Sequence, residues 1–509
     1  MRQISIARRT LHALSRAAIL GALGVLACGA TPVVLSAPAA AQDEEEAPRV
    51  RKDPAGFQAW VRSFRAEALA AGVPADVFDG AFAGVRLNQR VLELDGRQFE
   101  FVTPTWDYLD RLVSAKRIAA GLEARQRAGA TLARIEERYS VPANVVAAIW
   151  GIESNFGENR GDFSIIEALA TLAYDGRRGA WAKGQLLVAL DVLRSGDTTV
   201  EQLRGSWAGA MGHTQFIPSS YDRLAVDFNA DGRRDIWSDD PTDALASTAN
   251  YLSERGWRPG EPWGLHVRAP KEFDYGRAAA ERRSTDEWRE LGMTMVDGEP
   301  LPKGLKDAEL FMPAGARGPQ LLLLNNFRVI LTYNNSSNYA LAVSLLAERL
   351  EGLPPRRFDW PTDDRPLTLK ERKELQELLR DLGYDAGGVD GILGPKTRAA
   401  LRRFQASRSM IADGYPSEKL LELVRRAKKA QDAPLLVVRT GPAEPADIRE
   451  MQALLTSLGY DTRGVDGQLG PRTRLAIAQF RRDKGLEGEN DEATLELLNA
   501  LRDAVRSGG

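Results

Sequence analysis

The C-terminal third of this chain is written twice. Leu382-Gly-Tyr-Asp385, Gly388-Val-Asp-Gly391, Leu393-Gly-Pro395 and Thr397-Arg398 return as Leu458-Gly-Tyr-Asp461, Gly464-Val-Asp-Gly467, Leu469-Gly-Pro471 and Thr473-Arg474, every element displaced by 76 positions. A repeat this regular means two copies of one module. In each copy the apolar period predicts a helix before a Gly-rich turn, Leu375 to Leu382 and Met451 to Leu458, and another after it, Lys396 to Phe404 and Arg472 to Phe480. The Gly and Asp residues suit a tight turn, and Pro395 or Pro471 suits a first helical position. Units of roughly sixty residues have little core, so these three-helix-type modules read as binding attachments.

The remaining chain is long enough for a larger domain. From Pro54 to about Leu265 apolar residues recur at three and four positions, and Ser140-Val-Pro142 is a helix-start signal. From His266 to Ile330 the pattern loosens into short extended candidates, including Leu321 to Leu324 and Val329 to Tyr333, before Tyr339 to Leu350 returns to a helix. The fold class is therefore mainly α with a small irregular or β insertion. Proline and charge between Leu353 and Pro366 mark a boundary. The resulting division is a main domain at 54–352, a linker at 353–366, module one at 367–428, a linker at 429–444 and module two at 445–505.

Residues 1–41 have the form of an export signal. Arg2, Arg8, Arg9 and Arg16 precede the apolar run Ala17 to Ala27, and Ala39-Ala-Ala41 supplies small residues before Gln42. Residues 42–53 form a polar leader. The mature chain is expected to be exported and soluble, with a membrane association only if Cys28 is lipidated; the alternative is an incidental cysteine in the signal. Cys28 is the only cysteine, so no disulfide framework is expected. With 68 basic and 70 acidic side chains, and four arginines leaving with the signal, the formal charge moves from -2 to -6, which gives no long-range attraction to nucleic acid.

One helical segment carries an acid where an apolar residue is expected. In Val145-Val-Ala-Ala-Ile-Trp-Gly-Ile-Glu-Ser-Asn-Phe-Gly157, a helical period puts Glu153 on one stripe with Val145, Ile149, Ile152 and Phe156. A carboxyl group among apolar side chains loses hydration, which penalises its charged form and lets it hold a proton near neutral pH. A proton donor of this kind is what glycosidic bond cleavage needs. The plainer reading leaves Glu153 facing solvent at a helix end.

Gly205-Ser-Trp-Ala-Gly-Ala-Met-Gly-His-Thr-Gln-Phe-Ile-Pro-Ser-Ser-Tyr221 is the second dense segment. Its small residues permit a ligand to approach the backbone, while Ser206, Gln215 and the aromatics suit sugar rings; a tight helix crossing would use the same pattern. His213 has only His12 and His266 for company, which argues against a histidine metal site or a Ser-His hydrolase. Asp227-Phe-Asn-Ala-Asp-Gly-Arg-Arg-Asp235 has oxygen ligands at the first positions of a calcium loop, with Asp227, Asn229, Asp231 and Arg233 in order, but Ser238 stands at the twelfth. Without a further ligand the segment is an Asp/Gly-rich turn.

Gly151-Ile-Glu-Ser-Asn-Phe-Gly157, Ala168-Leu-Ala-Thr-Leu172, Arg177-Arg178, Gly209-Ala-Met-Gly-His-Thr-Gln-Phe216 and Tyr333-Asn-Asn-Ser336 together resemble the lytic murein transglycosylase B family, from about Pro54 to Leu350. Each repeat resembles a peptidoglycan-binding module. The resemblance implies a lysozyme-like helical catalytic domain acting on peptidoglycan glycan strands in the periplasm of a Gram-negative bacterium, with Glu153 as single acid and base. It also implies sugar subsites from Ser206, Gln215, Phe216, Tyr333, Asn334 and Tyr339, with Arg177 and Arg178 towards the peptide and Tyr108 as a further contact. No cofactor is required, and Asp243 matches a distal ligand for a structural calcium. A lysozyme-type hydrolase and a non-catalytic wall-binding scaffold are the competing functions; Glu158, Asp162 and Glu167 are the acids near enough in sequence to act as a second carboxylate.

Overall fold

The computed structural model describes residues 53–96, 103–271, 273–278, 281–432, 442–486 and 491–506. The export signal with Cys28, most of the leader and residues 433–441 of the second linker lie outside the described residues. The described chain is mainly helical, and no described helix is long and apolar enough to cross a membrane. It divides into two compact units, residues 1–428 and 429–509.

The first unit is built round the Ala143–Ser154 helix. That helix follows Pro142, which ends the left-handed turn at Ser140 and starts the new helix with its fixed φ. It packs against the Ser337–Glu351, Ala115–Arg127, Gly129–Tyr139 and Thr242–Glu254 helices. Because neighbours surround it, Val145 to Gly151 are all buried, and only Ile152 in its last turns is partly exposed. The expected single apolar stripe is therefore a helix buried on nearly every side. Phe156 is also not on it, since the helix ends at Ser154 and Phe156 adopts φ 60° and folds back.

Two short strands, β1 (Phe163–Ser164) and β2 (Arg204–Gly205), pair antiparallel and hold the second dense segment against this core. The insertion is an antiparallel sheet of β3 (Gly264–Arg268), β4 (Arg282–Arg283), β5 (Thr294–Met295), β6 (Ala308–Phe311) and β7 (Gln320–Leu323), in the order β4-β6-β7-β3-β5. It has its own core of Leu265, Val267, Trp288, Leu310 and Leu322. Leu321 to Leu324 is extended as expected up to Leu323, but Val329 to Tyr333 is not: it closes the Asn325–Tyr333 helix. The β-branched and aromatic residues that suggested a strand instead sit at helical spacing, with Phe327 and Ile330 buried on one face.

In both modules one glutamine, which the repeat motif does not include, organises the Gly-Asp turn. Gln376 accepts from Gly391 N at 2.8 Å and donates to Asp390 Oδ1 at 3.1 Å and Ile392 O at 3.1 Å. Gln452 does the same with Gly467 N at 2.8 Å, Asp466 Oδ1 at 2.8 Å and Gln468 O at 3.1 Å. The repeated Gly and Asp residues therefore build the turn, whose backbone groups would otherwise be left unpaired. Pro395 and Pro471 begin the helices that follow, and the Glu418–Asp432 and Leu495–Arg506 helices complete the modules.

Within the first unit, module one rests on the insertion. Asp413 accepts from Ala316 N at 2.9 Å, and Asp363 pairs with both Arg317 and Lys419. Phe358 and Trp360, in the stretch read as a linker, pack on the main core, with Trp360 5.8 Å from the Trp106 ring.

Candidate active site

Glu153 lies one residue before the end of its helix and is 5% exposed. The solvent-facing reading is thus ruled out by position. The Tyr339 hydroxyl donates to Glu153 Oε1 at 2.6 Å. Tyr339 is placed for this by the start of the Ser337–Glu351 helix, where the Ser336 side chain accepts from Tyr339 N. Burial first, and then the charge of Glu153, holds the Tyr339 phenol far above its ordinary range, so it stays a proton donor through the physiological range.

Beside this pair stand three aromatic rings. Phe216, Tyr251 and Tyr333 meet edge to face, with centroids 5.9 Å apart for Phe216 and Tyr251, 5.9 Å for Phe216 and Tyr333, and 4.9 Å for Tyr251 and Tyr333. The Tyr333 hydroxyl donates to Thr214 O at 2.6 Å, and its phenol is also pushed up, by burial and then by Glu153. Tyr108 is buried and its charge would act on Tyr339, so it belongs to the same neighbourhood. Glu153, Tyr339, Tyr333, Phe216 and Tyr108, expected together from sequence, are brought together. Tyr251 was not expected; nothing in its local sequence separates it from an ordinary core residue of the Thr242–Glu254 helix.

Between the strand that ends at Gly205 and the Pro218–Leu224 helix, the segment is a folded loop held by its own backbone. Ser206 N donates to Ala210 O at 2.7 Å and Met211 pairs with Phe216. A Cβ on Gly205 would lie 2.0 Å from Ala210 O, so its small size serves the contact of backbone with backbone. Ser206 Oγ accepts from Ala210 N at 3.0 Å. Gln215 Nε2 donates to Arg160 O at 3.0 Å and Gly212 O at 2.9 Å, which fixes the amide orientation and leaves Oε1 buried without a partner. Asn334 Oδ1 is likewise buried and unpartnered. Such orphaned acceptors are uncommon in a finished interior.

Arg177 and Arg178 are held by a residue that the sequence did not single out. Asp95 accepts from Arg177 Nε at 2.8 Å and pairs with Arg178 at 2.5 Å, and the Arg178 guanidinium lies over the Trp181 and Trp207 rings at 5.2 and 5.6 Å. Of the acids that might have joined Glu153, Glu158 and Asp162 are exposed, and Glu167 accepts from Asn88 Nδ2 at 2.8 Å.

The 227–235 loop has donors of the kind calcium takes, but they face its own backbone. Asp227 accepts from Asp231 N and Gly232 N, Asn229 from Asp231 N, and Asp231 from Arg233 N. The buried Asp243 accepts from Phe228 N at 2.8 Å, Asn229 N at 3.2 Å and Asp235 N at 3.0 Å. Desolvation, partly offset by these three bonds, raises the pKa of Asp243. Among the described residues no three His, Cys, Asp or Glu side chains stand together as a metal site. The loop offers donors of the type calcium takes, and in this structure its carboxylates are engaged by backbone N–H groups of the loop itself.

The transglycosylase SLT domain profile matches residues 56–348, and a peptidoglycan binding domain profile matches residues 368–424 and 444–498. Membrane-bound lytic murein transglycosylase B of Escherichia coli is 32% identical over 244 residues, which take in 47% of this chain and 66% of that relative. The structure of SltB3 from Pseudomonas aeruginosa in complex with NAG-anhNAM-pentapeptide is similar with a TM-score of 0.70 and 48% identity, covering 72% of this chain and 99% of that one. The Escherichia coli lytic transglycosylase Slt35 in complex with calcium is similar at a TM-score of 0.50 and 28% identity, over 59% of this chain and 93% of that one.

Proposed function

Because the chain belongs to the transglycosylase SLT domain family, we propose that it is a lytic transglycosylase that opens the β-1,4 bond between MurNAc and GlcNAc in peptidoglycan and leaves a 1,6-anhydroMurNAc end. The observation that carries this reading is one buried carboxyl, Glu153, held at 2.6 Å by the Tyr339 phenol. Glu153 gives its proton to the glycosidic oxygen as that bond breaks. The positive charge at C1 is stabilised by the substrate's own N-acetyl group. The carboxylate then takes the proton of the C6 hydroxyl while that oxygen bonds to C1, so no water enters and Glu153 ends as it began.

A second carboxylate is unnecessary because the attacker is already attached to the substrate, where effective molarities of order 10⁵ M or more are attainable. Glycosidases that admit water pair two carboxyl groups. The Tyr339 hydroxyl orients Glu153 and supports the charge it acquires between the two transfers. Gln215 and Asn334 are assigned to amide and hydroxyl groups of the sugars from the motifs they occupy, and the Phe216 and Tyr333 rings to their apolar faces. Ser206 and Tyr108 are assigned to the same subsites, and Arg177 and Arg178, steadied by Asp95, to the peptide side. The anhydro sugar named in the complex of the 48% identical SltB3 supports the same product here.

The two C-terminal modules tether the enzyme to its polymer and raise the local concentration of bonds to cut. The export-signal pattern of residues 1–41 supports the periplasm as the place of this work. Mass spectrometry of a murein digest is the direct test, with 1,6-anhydroMurNAc ends expected. In Glu153→Gln an oxygen remains for Tyr339 but no proton can be lent, and the rate should fall by about 10²–10⁴-fold. Reducing ends one water heavier establish a hydrolase instead, and an inert native protein establishes a wall-binding scaffold.

A further inference from the structure

We propose that His213 is a positioning residue for this reaction: as a neutral ring it clamps the turn directly behind Glu153, and it releases that turn when it takes up a proton. The proposal rests on the assignment of Glu153 as the acid and base. It begins from the backbone. Asn155 at φ 50°, Phe156 at φ 60° and Gly157 at φ 90° put three successive left-handed residues immediately after the helix that carries Glu153. Asparagine tolerates that region, but a bulky Phe does not adopt it without being held.

The holding contacts converge on one residue, His213, through its backbone carbonyl and its ring. Ser154 Oγ donates to His213 O at 2.6 Å and accepts from Gly157 N at 2.9 Å, tying the turn to the backbone of His213. The imidazole then lies against Gly157, where a Cβ would be 2.5 Å from Nδ1, so only glycine admits the ring. Trp150, one helical turn before Ser154, donates from Nε1 to His213 Nδ1 at 3.1 Å, and its ring is edge-on to both His213 and Phe156.

Indole nitrogen is only a donor, so Nδ1 must be the bare nitrogen and the ring proton is at Nε2, 2.7 Å from Ser238 O. A second proton would have to enter at Nδ1, facing the Trp150 N–H, and the bond that fastens the ring would become a contact of two donors. The charged groups facing the ring are Arg160, whose Nη1 is 3.2 Å from Nε2 because both donors share Ser238 O as acceptor, with Asp235 and Asp239 on the other side of the balance. Burial is the largest influence and moves the pKa of His213 below its ordinary value. This sets the direction of the switch: clamped at neutral pH, released in acid.

The mechanism of one protonated carboxyl predicts loss of rate only on the alkaline side, so an acid limb in kcat has to come from another group. The expected native profile has such a limb below about pH 6.5, the ordinary histidine value. His213→Asn, which keeps an acceptor for Trp150 and cannot titrate, should retain most of kcat at neutral pH and lose the acid limb. His213→Leu and Trp150→Phe should each lower kcat about ten- to a hundredfold, the scale of a small misplacement of a reacting group, with KM changed far less. Combining His213→Leu with Trp150→Phe should cost no more than the worse single change.

Should His213→Leu fail to fold by circular dichroism, His213→Asn and Trp150→Phe still decide the matter. An acid limb unchanged in His213→Asn, or full activity in folded Trp150→Phe, overturns the proposal. If native protein yields anhydro ends and these variants behave as native, only the positioning role is lost. If native protein yields none, the assigned reaction itself is wrong.

Discussion

Removing one oxygen atom tests the centre of the proposed site. In Tyr339→Phe the ring still fills its buried place, 3% exposed, and the only group withdrawn is the hydroxyl 2.6 Å from Glu153 Oε1. A hydrogen bond to a group that becomes charged is worth about 1.5–3 kcal/mol net. That interaction is strongest when Glu153 has just lost its proton to the glycosidic oxygen, so it acts on the transition state more than on bound substrate. At about 1.4 kcal/mol per decade, kcat should fall about 10- to 150-fold. KM should stay near its native value, because the sugar contacts assigned to Gln215 and Asn334 are untouched. Thermal unfolding should move little, as the packing is preserved. The assay is release of anhydro-muropeptides from purified murein under saturating and limiting substrate. A Tyr339→Phe enzyme within twofold of native kcat would refute the idea that this phenol supports the catalytic carboxyl.

Three further tests address the frame around the site. A Cβ in Gly151→Ala would lie 2.4 Å from Phe156 Cζ, and overpacking of about 1–3 kcal/mol should exceed the gain of about 1 kcal/mol in helix propensity; a urea melt showing the variant more stable than native defeats this. In Asp243→Asn, one of the two oxygens shared among three backbone N–H groups becomes a donor, and stability should fall by about 1–3 kcal/mol; added calcium that raises Tm in native protein but not in this variant would show that the loop rearranges into a cage. His213 and His266 are both held below their ordinary pKa by burial. Between their lowered folded values and about 6.5 they stay neutral in the fold while the unfolded chain charges, so Tm should fall as pH drops through about 6.5 and level off once the folded histidines also protonate, with a shallower slope in His213→Asn.

The parts of the structure that were legible in the sequence are those encoded over short distances. Pro395 and Pro471 begin helices because a fixed φ and a missing N–H suit that position wherever it occurs. The 76-residue displacement carries the same module twice because identical local instructions fold alike. Glu153 stood out because an acid at an apolar position is anomalous before any partner is known. Periodicity reports that a side chain is buried, however, and not what it is buried against. It therefore could not show that neighbours enclose the Ala143–Ser154 helix, or that Val329 to Tyr333 turns as a helix.

What only the tertiary structure decided are the pairings made across the chain. Tyr339 reaches Glu153 over 186 positions, and Asp95 steadies Arg177 over 82. His213 meets Trp150 across 63, and that contact turns a histidine with no sequence role into the lock on a strained turn. A hydrogen bond needs donor and acceptor within about 3 Å and in line, and that is set by how whole helices pack. No local pattern contains it. Residue chemistry was thus settled by the sequence, while the burial, orientation and restraint of Glu153 were left to the fold.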